Sequence, residues 1–152
     1  MKTTASKLLL VTFLAGSFIS QASAATVYVR IGGAQAFGDA VHRAVAHILG
    51  ASSTQTTPPY TLGTGNTYAY ADTSPAGGGV GKSTQAIFSG TVSGVTVIIK
   101  TSFTGSTDGI RLLATSATVP FLADSLLSSA TQSGGLLPNS GNASRNKETA
   151  GA

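Results

Sequence analysis

Apolar positions along the chain fall into separated blocks, and their spacing predicts the elements. In "ATVYVRI", Ala25 to Ile31, β-branched and aromatic residues predict a strand. "GGAQAFG" follows as a glycine turn. In "DAVHRAVAHILG" the apolar positions Ala40, Val41, Ala44, Val45, Ile48 and Leu49 recur at helical spacing. Asp39 suits the positive end of that helix's dipole, and Gly50 its C-terminal cap. Residues 51–79 are rich in Thr, Gly, Pro and Tyr and predict mostly loop, with "TYAYA" as a short exposed strand. "TQAIFSG" predicts a helical turn. "GVTVIIKTSF", Gly94 to Phe103, has the strongest strand pattern in the chain. It runs through "TGSTDG" into a short helix, "IRLLATSA". Strand, turn and helix therefore occur twice. Beyond "VPFLADSLLSS" the periodic apolar residues stop, and 128–152 is expected to be a polar, flexible tail.

The first block has a different meaning. Lys2 and Lys7 precede the apolar run "LLLVTFLAGSFI", and Ala22–Ser23–Ala24 supplies an A-x-A site. A positive start, a short apolar core and small residues at the cut describe a secretory signal peptide, 1–24, released after Ala24. The run is shorter than the ~20 residues that span a bilayer. The expected location is periplasmic or extracellular. Removing the segment takes away two lysines and no acid. Of nine basic and five acidic residues, seven and five remain, without a basic stripe. That composition gives no footprint for nucleic acid. The absence of cysteine excludes a disulfide framework and a thiolate metal site, so the fold must rest on its core.

Candidate chemistry is sparse. "SPAGGGVGKST", Ser74 to Thr84, imitates a phosphate-binding loop, if Ala76 stands for the first glycine. A working loop needs a buried strand before it, a helix after it and a later strand ending in Asp for magnesium. None is predicted here, so the stretch is expected to be a flexible loop without nucleotide. His42 and His47 lie five apart, about 140° around the helix, and cannot share a metal; solvated or half-buried rings are expected. The acids are scattered singly, giving no carboxylate pair. No serine lies in G-x-S-x-G. No catalytic residue, cofactor or metal is expected.

The two strand–turn–helix junctions carry what chemistry remains. In open α/β sheets ligands sit beyond the carboxyl ends of strands, where helix N-termini offer unpaired N–H groups and partial positive charge. At the second junction Ser106 and Thr107 add hydroxyls, and Gly109 permits close backbone approach. At the first, Gly32 and Gly33 allow a sharp turn, and Phe37 is placed to wall one side of a cleft. Helix capping by Ser106 or Thr107 is the plainer alternative.

"IGGAQAF" with its helix, then "VTVIIKTSFTGSTDGIRLLA", resembles the N-terminal lobe of phosphate-binding periplasmic proteins. More loosely, it is similar to exported proteins with a substrate-binding-protein-like domain. The resemblance covers about half of the chain beyond the signal segment. It implies a parallel-sheet α/β lobe over 25–127, with a loop-rich insertion over 51–91. It also implies non-covalent binding of a small anion such as phosphate, and a membrane transporter as partner of the complete protein. By correspondence the ligand-binding positions are Ala36, Phe37, Ser106, Thr107 and Gly109. Ala36 stands where the family has Thr, and Asp108 where it has Gly. The family's second lobe has no counterpart, so the chain is expected to be a truncated first lobe. A secreted structural or surface protein without a small-molecule ligand is the alternative.

Overall fold

Two apolar clusters, one on each face of a mixed five-stranded sheet, organise the protein. The computed structural model describes residues 25–71, 79–137 and 143–149. The signal segment and residues 74–78 of the glycine-rich stretch lie outside them. Strand β1, Val27–Gly33, leads through a 3₁₀ turn at Gln35–Phe37 into helix α1, Gly38–Ile48. Strand β2 is Thr67–Ala71, and a single helical turn, α2, is Gly79–Lys82. Strands β3, Gln85–Val92, and β4, Val95–Phe103, form a hairpin. Helix α3, Ser106–Thr115, strand β5, Thr118–Leu122, and a 3₁₀ segment, Asp124–Ser129, follow. The short strands β6, Gly135–Leu137, and β7, Arg145–Thr149, come last.

The sheet order is β1-β4-β3-β2-β6, while β5 and β7 form a separate two-stranded sheet. Only β1–β4 and β2–β6 are parallel; β4–β3 and β3–β2 are antiparallel. The expected parallel sheet is thus corrected to a mixed one. The physical reason is the tight turn at Ser93–Gly94, which a parallel pair could not use. Both turn residues have positive φ, 50° and 81°, as a type I′ hairpin turn requires.

Three further expectations are corrected. "TYAYA" is an interior strand, with Tyr68, Ala69 and Ala71 fully buried rather than exposed. "TQAIFSG" is strand β3, not a helical turn, because both of its edges find strand partners. The stretch 51–91 is therefore not merely a loop-rich insertion. The polar tail also contributes structure: β6 extends the sheet beside β2, and β7 pairs with β5. The formation of β7 owes nothing to apolar periodicity, since "RNKET" contains no apolar residue.

Packing follows strand alternation. One face of the sheet presents Tyr68, Ala86, Phe88 and Ile99 to Val45 and Ala46 of α1 and to Leu49, which caps its C-terminal end. The other presents Ala69, Ala71, Ile87 and Ile98 to Leu122 and Leu137. Phe121 and Val119 of β5 meet Leu112 of α3 in a third cluster. Burying one large aliphatic or aromatic side chain contributes about 1.5–3 kcal/mol, so these clusters dominate the stability.

Candidate functional site

The strand–helix junctions lie side by side. β1 and β4 run parallel in a register that sets Gly33 opposite Phe103, so α1 and α3 begin beyond the same end of the sheet. Phe103, 1% exposed, forms the floor. A Cβ added at Gly38 would meet its ring at 3.3 Å, so a larger residue at the start of α1 would require the Phe103 ring to shift. Gly109 faces the opposite junction: a Cβ there would lie 3.3 Å from Gly33 Cα and 3.6 Å from Ala34 N. The close approach that Gly109 permits is thus an approach of α3 to the end of β1.

Each predicted position has a definite place. Ala36 and Phe37 lie in the 3₁₀ turn, both exposed, Phe37 at 65%. Ser106 opens α3 and the exposed Thr107 follows. Neither α1 nor α3 has a side-chain hydrogen bond at its N-cap, which is Phe37 for one and Gly105 for the other. The register brings the two junctions together, and Gly109 joins them through backbone contact. The first turn of α1 carries Asp39, and the first turn of α3 carries Asp108. The dipole of α1 therefore already has an acid in reach.

Beneath this end of the sheet, His42 of α1 is fully buried rather than solvated or half-buried. Its Nδ1 lies 2.7 Å from the Val80 carbonyl oxygen and its Nε2 lies 2.8 Å from Thr101 Oγ1. A carbonyl only accepts, so Nδ1–H donates to Val80 and Nε2 accepts from the Thr101 hydroxyl. Thr101 Oγ1 in turn accepts from the Ala86 N–H at 3.0 Å. The ring also packs against Phe88 and edge-on against Phe103. Burial pulls the His42 pKa down to about 4, against opposing effects of the Val80 bond and the Asp39 charge. A hydroxyl–imidazole pair with an oriented ring is the outline of a nucleophilic site. With both residues at 0% exposure, however, no substrate reaches it. His47 is half-buried and donates from Nε2 to the Gln55 carbonyl at 3.1 Å.

The end of the glycine-rich stretch is occupied by local bonds. Gly79–Lys82 forms the turn α2, which corrects the expectation of a flexible loop for this part. Ser83, 1% exposed, places its hydroxyl 2.5 Å from the Ala71 carbonyl oxygen and 2.6 Å from that of Gln85. The same oxygen accepts from the Gln85 N–H at 3.2 Å. The hydroxyl that would hold magnesium in a phosphate loop instead ties β2 to β3. Where a phosphate would approach Gly81, the Asp39 carboxylate already lies close.

Sequence reasoning missed an ionic cluster on the opposite face of the sheet. Arg30 and Lys100 are in register on β1 and β4, so both point to that face. Lys100, 2% exposed, lies 2.6 Å from Asp124 Oδ1 and 2.6 Å from Glu148 Oε1, and Arg30 Nε bonds the other oxygen of Glu148. The Tyr28 hydroxyl donates to Asp124 Oδ2 at 3.0 Å. For both acids burial pushes the pKa up, but the bonds from Lys100 and the second partner outweigh it and hold each below its ordinary value. Among the described residues no group of His, Cys, Asp and Glu is arranged to hold a metal. The cluster docks the β5–β7 pair onto the sheet, and its components lie too far apart in sequence for any local pattern to signal it.

A search of protein-family models, curated proteins and solved structures finds no match to the chain.

Proposed function

We propose that the chain is an exported α/β binding domain that holds a small anion non-covalently beyond the carboxyl ends of β1 and β4. The observation that carries this reading is the parallel register of Gly33 with Phe103, which starts α1 and α3 side by side. At the start of α1 the Phe37 and Gly38 N–H groups already bond the Ala34 and Gln35 carbonyls, so the anion is held chiefly by N–H groups at the start of α3, whose N-cap is Gly105. Thr107 adds an exposed hydroxyl, Phe37 an apolar wall, and Ala36 no polar group. Asp39 competes for the dipole of α1 and the sequence adds a second negative charge at Asp108, so binding is weak and a singly charged anion is favoured over a doubly charged one. The protein is not an enzyme in this reading. Its partner is a membrane transporter in the complete system.

A second reading, a secreted structural or surface protein, is favoured by Gly109. Its bare Cα is used against Gly33 and Ala34, so α3 closes onto β1 without a ligand between them. One experiment separates the two. Phosphate is titrated into the protein and into Asp108→Gly while the backbone amide NMR signals of residues 105–109 are followed. The anion-site reading expects saturable shifts that tighten in Asp108→Gly. If no amide in that turn moves in either protein, the structural reading replaces it.

A further inference from the structure

β1 ends the sheet, and among the described residues no strand pairs with its outer side. Seven residues long, it is half-buried from Tyr28 to Gly33, while Val27 is 42% exposed. Edges of this kind are ordinarily blunted by proline, lysine or a covering element, because their free N–H and C=O groups accept another strand. β1 contains no proline or lysine, and its one charge, Arg30, is engaged by Glu148 on the second face.

The strand is also self-complementary when reversed. Laid antiparallel on a second copy about Val29, it sets Val29 against Val29, Val27 against Ile31 and Tyr28 against Arg30. Alternation keeps the three aliphatic positions on the α1 face, where Val29 and Ile31 already adjoin the core. It keeps Tyr28 and Arg30 on the other face, where the Arg30 guanidinium already lies 5.3 Å from the Tyr28 ring centroid of its own strand. The register centred on Arg30 would instead oppose two guanidinium groups, which is destabilising. We infer that β1 is a dimerisation edge. A second copy of this chain adds its β1 antiparallel across a two-fold axis at Val29, joining two five-stranded sheets into one. The interface is isologous and closes, so it yields dimers rather than filaments.

Sedimentation equilibrium on the purified protein tests this, together with single-cysteine variants, since the chain has no cysteine of its own. The expected mass is twice that of the chain. Val27→Lys, at an exposed position, should weaken the dimer roughly tenfold or more with an unchanged circular dichroism spectrum, because each axis repeats the lesion. Under mild oxidation Val29→Cys should cross-link to its own copy. Tyr28→Cys, which faces Arg30 of the second copy, and Val95→Cys at the hairpin should not. A monomer at NMR concentrations overturns the inference. So does a dimer that Val27→Lys leaves intact, or one in which a folded Val29→Cys protein cross-links no faster than Val95→Cys. If Val29→Cys does not fold, the Val27→Lys result decides alone.

Discussion

His42 enters the core as a neutral ring, and that choice has a measurable consequence. Its two nitrogens are committed to Val80 and Thr101, one as donor and one as acceptor. Protonation would turn Nε2 into a second donor facing a hydroxyl that must then give up its own bond. The pKa falls from 6.5 to about 4, with burial as the largest cause. Between those values the unfolded chain binds the proton and the folded protein does not, so folding stability rises with pH. The contribution is complete above pH 6.5 and is lost as pH falls toward 4, for a total of about 3 kcal/mol. Urea denaturation across this range should show the slope. His42→Gln should remove the slope between pH 6.5 and 5 and cost ~1–2 kcal/mol at neutral pH, through a lost hydrogen bond. A slope unchanged by the substitution would assign it to another group. The sequence marked His42 as a helix residue on an amphipathic stretch. Its burial depended on Thr101, which is 59 positions away.

At the scale of elements, local pattern was informative where one element met one surface. α1 and β4 stand where apolar spacing predicts them; β1 instead runs on through Gly32 and Gly33, expected in the turn, and α3 begins at Ser106, inside the expected turn "TGSTDG". β3 was misread because it is buried on both faces: Gln85 to Phe88 are all buried, so no polar alternation appears. The better signal was "VSGV", a Ser-Gly pair between two apolar runs, which is a hairpin turn. β6 and β7 are illegible for another reason. Three residues and five polar ones have no propensity to speak of, and partners supplied by β2 and β5 form them. The turn itself gives the test at this scale. Ser93 and Gly94 both have left-handed φ, and nothing lies within 4 Å of a Cβ added at Gly94. Gly94→Ala therefore carries backbone strain without a steric clash and should cost about 1 kcal/mol. Ser93→Gly, which relieves a strained residue, should be close to neutral or slightly stabilising. Thermal unfolding of both variants checks the pair, and an equal loss in each would mean that the turn conformation does not matter.

For the whole molecule, the candidate anion site was legible as two junctions, since a parallel pair of strand–helix units must place its helix starts at one end of the sheet. What closes the second face was not. Its acids, Asp124 and Glu148, look solitary in the sequence, and only the topology gathers them around Lys100 and Arg30. This cluster ties β1, β4, the segment after β5 and β7 together, so it links early, middle and late parts of the chain. Lys100 is buried, and a buried cation needs its carboxylates more than a surface one does. Glu148→Gln keeps the shape but withdraws the charge that both cations share. It should cost about 2 kcal/mol or more at neutral pH. Because partner bonds hold the Glu148 pKa below its ordinary 4.5, its contribution is present above that value and is lost as pH falls below it. This acid window overlaps the lower end of the one set by His42 and extends beneath it. Urea denaturation at pH 7 and at pH 3 should therefore show a smaller acid-induced loss in Glu148→Gln than in the parent. Hydrogen exchange locates the effect: amides of residues 118–122 and 145–149 should exchange faster in the variant, with β3 and β4 unchanged. Equal exchange in those strands would mean that the β5–β7 pair is held by its apolar contacts with α3 and the sheet, and that the ionic cluster contributes nothing to docking it.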